Sequence, residues 1–171
     1  MSGRRVLIVD GYNVMRSGER YASLAEEDID AARARLVADV AAYVQGEQEA
    51  LVVFDGAGNP HSDGRPHNVI GVEVVFSRFG TDADSVVEQA VSMHRSAGDE
   101  VTVVTSDAQT QWAVMGGGVA RMSSAGFLAE LAGDEAEHAQ SNPSGSAGST
   151  VSERVDPEVS DVLARWARGL R

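Results

Sequence analysis

The stretch Val6 to Val14, VLIVDGYNV, constrains this chain more than any other. Four apolar residues, Val6 to Val9, run without a break into Asp10, Gly11, Tyr12 and Asn13. A short unbroken apolar run closed by a turn signal predicts a strand covered on both faces, as strands inside a parallel sheet are. The run ends in a carboxylate rather than a neutral turn residue. In open α/β sheets, ligand chemistry collects beyond the carboxyl ends of such strands. Other strands delivering acids to the same edge would make that edge a site.

Three further runs do so. LVVF, 51–54, meets Asp55 and Gly56; VEVVF, 72–76, is followed by SRFGTDADS with Asp82 and Asp84; VTVVT, 101–105, leads into Ser106 and Asp107. Helical spacing fills the intervals. Ile29, Leu36, Val37, Val40 and Val44 share one stripe, which predicts a helix from about Ala25 to Val44. Ser23 is its expected N-cap, and Glu26 completes a capping box. Val86, Val87, Ala90 and Val91 predict a helix to about His94, capped by Thr81 or Asp82. A short helix from about Ala108 carries Trp112 and stops at Gly116 to Gly118. VARM, 119–122, reads as a fifth strand, and Ser123 or Ser124 caps a helix ending near Leu131. RSGERYASL and AGNPHSDGRPHN read as loops. Strands alternating with helices predict an α/β fold, a three-layer, doubly wound, mostly parallel sheet.

From Gly133 to Thr150 the composition turns to Gly, Ser, Ala, Glu and Pro, which predicts a flexible linker. Val159, Val162, Leu163 and Trp166 then regain helical spacing. The expected organisation is a domain over 1–132, a linker over 133–150, and a C-terminal helix within 151–171 that docks on the domain or on a partner.

Composition narrows the chemistry. Among 171 residues there is no cysteine, hence no disulfide framework and no thiolate nucleophile or zinc ligand. All 14 basic residues are arginines, so a Walker-type, Schiff-base or receiver-type lysine is excluded. The amino terminus lacks the apolar h-region of about 7–15 residues that a secretory signal needs. No run approaches the roughly 20 apolar residues of a membrane span. A soluble, cytoplasmic protein is expected. A formal charge of −12 disfavours broad non-specific binding of nucleic acid. It does not disfavour a nuclease, whose acids are offset by the cation they hold.

Each acid alone has an ordinary explanation. Asp82, Asp84 and Asp107 precede or open helices, where Asp serves as a cap and suits the dipole. Asp10 and Asp55 precede glycine and suit turns. Their recurrence at every strand end is the informative feature. In a parallel sheet all these ends share one edge, and like charges there repel unless a cation sits among them. Oxygen-only donors suit Mg²⁺ or Mn²⁺. Such ions activate water and stabilise the oxyanions of a phosphodiester in displacement. Asn13 is placed to hydrogen-bond a carboxylate or phosphate, and Tyr12 to pack or to stack on a base.

VDGYNV, VVFDG, VEVVFSRFGTDADSVVE and VTSDAQTQWAVMGGGVARMSS, in this order and spacing, resemble the YacP-like branch of the NYN domain family, whose fold belongs to the PIN-like nucleases. The resemblance covers about residues 4–131, and VSDVLARWARG resembles the end of YacP-type proteins. It implies a metal-dependent endoribonuclease, a hydrolase of RNA phosphodiester bonds. In the best-known YacP-like proteins it implies cleavage of mRNA associated with the translating ribosome. By motif, Asp10, Asp84 and Asp107 match the acidic site, Asp55 a further acidic position, and Asn13 the asparagine of the first motif. The implied catalytic residues are Asp10, Asn13, Asp84 and Asp107, and the implied holders of Mg²⁺ or Mn²⁺ are Asp10, Asp55, Asp84 and Asp107. No role passes to Asp82. The chain departs from relatives that carry charged helical sequence where it has its Gly- and Ser-rich segment.

Arg16, Arg20, His61, Arg65, His67 and Arg78 lie on segments leaving the same strand ends and are candidates for phosphate contact. Other readings compete. A haloacid-dehalogenase-type phosphatase wants an Asp where Tyr12 stands, and a lysine this chain lacks. A dinucleotide-binding domain wants a G-x-G-x-x-G after the first strand. A non-catalytic RNA- or ribosome-binding module would keep the fold without turnover. A nuclease half of a toxin-like pair is also compatible with these motifs.

Overall fold

The computed structural model of the chain describes residues 3–107, 118–141 and 157–169. Six strands, β1 (Arg5–Asp10), β2 (Glu49–Phe54), β3 (Pro66–Val69), β4 (Val72–Phe76), β5 (Glu100–Val104) and β6 (Val119–Met122), form one sheet. Its order is β3-β4-β2-β1-β5-β6, and every pairing is parallel except β3 with β4. The chain winds from β1 outward through β2 and β4, then returns to place β5 on the other side of β1. The strand order therefore reverses beside β1, the topological switch point where open α/β sheets bind ligands.

The apolar run of β1 is buried on both faces because each face has its own helical layer. Val6 and Ile8 join a core with Val53, Val75 and Val103, covered by Val87, Ala90 and Val91 of α4 (Ala83–Ser96). Leu7 and Val9 join the larger core on the opposite face. That face is covered by α1 (Gly11–Ser17), α2 (Glu19–Glu27), α3 (Ile29–Val44), α5 (Ser124–Ser141) and α6 (Pro157–Ala167). The doubly wound α/β architecture expected from the apolar pattern is what the structure shows.

Several elements differ from expectation. The stretch around RSGERYASL is helical, in α1 and α2, not a loop. Tyr21 of α2 is 1% exposed, and its hydroxyl donates to the buried carboxylate of Asp39 on α3. Helix α3 begins at Ile29 rather than near Ala25, because Asp28, not Ser23, is its cap and accepts from the N–H groups of Asp30 and Ala31 at 3.0 and 3.1 Å. Leu36, Val37, Val40 and Val44 are buried as expected, but Ile29 is 40% exposed. Helix α5 runs to Ser141, ten residues past its expected end at Leu131 and into the stretch read as linker. The rest of that stretch, 142–150, and the expected short helix with Trp112 lie outside the described residues. Helix α6 packs on α3, with Leu163 fully buried and the Trp166 ring stacked on His67 at 4.0 Å between centroids.

Strand β3 is hidden in the sequence because Pro66, His67 and Asn68 show no apolar alternation. It is an edge strand that opens on proline, where a missing N–H is tolerated. Ile70 and Gly71 turn the chain into β4 with φ of 45° and 85°. Positive φ at both positions marks a type I′ hairpin turn, which Ile fits badly and Asn fits well. Ile70 is 55% exposed, so little apolar contact is lost on replacement. Ile70→Asn is expected to stabilise the fold by about 1 kcal/mol, read from the midpoint of urea unfolding.

Candidate functional site

Asp10 closes β1 and is also the N-cap of α1, accepting from the Asn13 N–H at 3.4 Å. The glycine that follows has a steric reason. A Cβ on Gly11 would stand 2.4 Å from the Phe54 ring and 3.0 Å from the Val53 carbonyl oxygen. Only glycine lets α1 start this close to β2. Gly56, after Asp55, is in the same position, with a virtual Cβ 2.3 Å from the Ser77 carbonyl oxygen. The repeated Asp-Gly pairs thus mark close backbone approach at two neighbouring strand ends.

Asp84 lies in the first turn of α4 and is half-buried. Asp107 lies just beyond β5, also half-buried, and its N–H donates to Thr105 Oγ1 at 3.1 Å. These two carboxylates act on Asp10. Burial raises the Asp10 pKa to about 6, and the charges of Asp84 and Asp107 add to the rise, against the Asn13 N–H and the Arg16 cation. The end of β1, the first turn of α4 and the segment after β5 therefore bring Asp84 and Asp107 within electrostatic reach of Asp10 at the switch point.

Asp55 and Asp82 are placed differently. Asp55 is exposed, accepts from the Ala57 N–H at 2.8 Å in a local turn, and its charge reaches Tyr12. Asp82 caps α4, accepting from the Ser85 N–H at 2.8 Å and hydroxyl at 2.7 Å, and these bonds hold its carboxyl below the usual range. Capping accounts for Asp82 without any part in the site.

The donor set is compatible with a hard cation. A carboxylate pushed upward by burial, with two further carboxylates acting on it, is a concentration of negative charge that the Arg16 cation offsets in part. Among the described residues, no three His, Cys, Asp or Glu side chains lie close enough together to hold one ion directly. Mg²⁺ does not ask for one, since it keeps several waters and binds through one or two carboxylates. The residues present therefore fit a partly hydrated Mg²⁺ or Mn²⁺ better than a dehydrated, all-protein site.

The profile of the YacP-like NYN domain matches residues 7–168. The chain belongs to the YacP-like NYN domain family. Comparisons with Bacillus subtilis proteins agree. The protein called "Uncharacterized protein YacP" is 29% identical over 132 residues, 74% of each chain. The crystal structure of a tryptophan-to-leucine variant of Rae1 (YacP) superposes with a TM-score of 0.68 at 27% identity, covering 90% of this chain and 89% of that one. A second crystal structure of Rae1 (YacP) gives a TM-score of 0.62 at 25% identity, covering 96% and 95%. Among the described residues of this YacP-like chain, no helix is long and apolar enough to cross a membrane.

One part of the YacP-like site was not visible in the motifs. The Asn13 side-chain oxygen accepts from the Ser106 N–H at 2.9 Å and from the Ser124 hydroxyl, and Ser106 Oγ accepts from the Ser124 N–H at 3.0 Å. Asn13 thus ties α1, which Asp10 caps, to the segment carrying Asp107 and to the start of α5. Ser106 precedes Asp107 directly, but nothing local pairs either with Ser124, which is fully buried. Asn13→Ala leaves the Ser106 N–H and the buried Ser124 hydroxyl without this acceptor. It should cost about 1–3 kcal/mol, and a fall in Tm of about 2–4 °C per kcal/mol is the measurement.

The candidate cations separate. Arg20 pairs with Glu135 at 3.0 Å, Arg65 with Asp63 at 3.7 Å, and His67 is stacked on Trp166. Arg16 and Arg78 are exposed on segments leaving β1 and β4, and His61 is exposed in the loop after β2. Tyr12 packs on Phe54 at 5.2 Å, and its hydroxyl accepts from Arg33.

Proposed function

We propose that this protein is a Mg²⁺- or Mn²⁺-dependent endoribonuclease that hydrolyses mRNA, with the ribosome as the setting in which the substrate is met. The placing of a buried Asp10 at the switch point, within electrostatic reach of Asp84 and Asp107, carries this reading. Asp10, Asp84 and Asp107 would hold one or two ions, with Asp55 adding charge at the adjoining strand end. The ion supplies polarisation of water and of the phosphate oxygens. The protein supplies the rest. Asn13 and Ser124 hold the Asp10 and Asp107 segments together. Arg16, exposed on α1 and acting on Asp10, offers a cation to the incoming phosphate. The family relationship favours RNA chemistry over the phosphatase and dinucleotide readings. Asn13 holds protein to protein through its side-chain oxygen, so its part in the reaction is to keep the acids in place.

The first test is cleavage of a defined mRNA in a purified translation reaction, with parallel lanes holding the same RNA without ribosomes. Discrete internal cuts are expected where the protein is present, and the paired lanes report whether the ribosome is required. No cuts in any lane, from folded protein, would leave a non-catalytic binding module. Metal is tested separately. Mn²⁺ should raise the Tm of the parent, by about 2.7 kcal/mol of stabilisation at a hundredfold excess over Kd. Asp84→Asn should lose most of that response.

A further inference from the structure

Along α1, the helix that Asp10 caps, lies a groove of about 350 Å³ between α1, α2 and the start of α3. That volume is at the small end of the roughly 300–1,000 Å³ range of ligand clefts. Tyr12, Met15, Ala22, Ala25 and Ile29 give it an apolar lining. The same groove accounts for Ile29, which has the helical spacing of a core residue yet is 40% exposed. Its two charged members, Arg16 and Glu26, are both exposed. Among the described residues neither makes an ion pair or a side-chain hydrogen bond, and the Arg16 cation acts on Asp10. One wall is α1, the helix Asp10 caps, so the groove opens within about two turns, at 5.4 Å per turn, of the acidic cluster.

An apolar slot flanked by one cation and one carboxylate, next to a candidate phosphodiester site, suits a nucleotide. We propose that this groove is a subsite for a guanine base of the RNA next to the scissile phosphate. The base is taken by apolar contact with Tyr12, Ala22 and Ile29. Glu26 accepts from the guanine Watson–Crick edge, whose two adjacent N–H donors match a carboxylate as a guanidinium fork does. Arg16 meets the neighbouring backbone phosphate. The inference rests on the nuclease reading of the acidic edge and adds to it a base preference.

The chain has three isoleucines, Ile8, Ile29 and Ile70, so methyl-labelled isoleucine gives a sparse NMR report on the groove. Ile8 is buried in the other core and Ile70 sits on the β3–β4 turn, which makes both internal controls. Titration of the full chain with guanosine, adenosine, cytidine and uridine 5′-monophosphates, to about 10 mM so that a site with a Kd as weak as about 1 mM is mostly filled, should move the Ile29 methyl. The guanosine nucleotide should act at the lowest concentration. Glu26→Gln should remove that preference, and Ala22→Leu, which fills the slot at a helix position, should remove the response and raise KM for RNA. An unresponsive Ile29, or equal response to all four nucleotides, would overturn the proposal and leave the groove to another occupant. Failure here with RNA cleavage intact removes the subsite alone. A guanine response in a protein that cuts no RNA removes the nuclease reading and keeps the subsite.

Discussion

Asp10→Asn and Asp84→Asn are each expected to lose at least about 100-fold in RNA cleavage, since even outer-shell partners of metal ligands are worth 10–100-fold. What separates a functional acid from a structural one is the accompanying change in stability. Asp10 is 7% exposed, and its pKa rises to about 6 through burial and the two neighbouring carboxylates. Between about 4 and 6 the folded chain therefore binds more protons at Asp10 than the unfolded chain does. Stability without metal must fall as pH climbs through that window and stay low above it. Asp39, raised to about 6 chiefly by burial, acts in the same direction over the same range. At neutral pH the Asp10 contribution is about 3 kcal/mol, at 1.4 kcal/mol per pH unit. Asparagine keeps an oxygen to accept from the Asn13 N–H and removes the charge. Asp10→Asn should thus raise the metal-free Tm by about 6–12 °C while abolishing cleavage. Its Tm should also lose most of its dependence on added Mn²⁺. Calorimetry at pH 5 and pH 7.5 on parent and variant is the check. A variant less stable than the parent at pH 7.5 would make Asp10 a structural cap.

Phe54→Ala is the core substitution with the largest expected cost. Phe54 ends β2 fully buried, with ring centroids 5.2 Å from both Tyr12 and Phe76, and its ring is the surface on which Gly11 rests. Removing it opens a cavity directly under the start of α1. A buried Phe→Ala change costs about 3–5 kcal/mol, or about 10 °C in Tm for a domain of this size. Because α1 begins at Asp10, cleavage should fall as well, even at temperatures where the variant is folded. Urea unfolding with the slope held in common measures the first effect. A loss below about 1 kcal/mol would show that α1 settles into the space, and the Asp-Gly close approach would then be dispensable.

Periodicity is local, and what it governs was legible in the sequence. The unbroken runs at Val6 to Val9 and at 51–54 announced strands covered on both sides, and each lies in the sheet interior with a helical layer on either face. Strand ends share an edge in any parallel sheet, so an acidic edge followed from Asp10, Asp55 and Asp107 after apolar runs and from Asp82 and Asp84 at the start of the next helix. Short helices carry too few turns to show a stripe, which is why α1 and α2 read as a loop. Edge strand β3, with only Val69 buried, carried no alternation to read.

Strand order is a matter of long-range pairing, and only the tertiary structure decided it. Placing β5 against β1 brings the charge of Asp107 to bear on Asp10, and packing α4 across β1 brings that of Asp84, while Asp55, at the end of neighbouring β2 and equally plausible in sequence, faces Tyr12. The same packing joins Asn13 to Ser124 across 111 positions of chain. It also opens the groove beneath Ile29, whose helical spacing alone assigned it to the core. The sequence determined that acids would gather at one sheet edge, because strands joined by helices run parallel and their carboxyl ends fall on the same side of the sheet. Which of them would meet was decided by contacts between segments far apart in the chain, which no local pattern encodes.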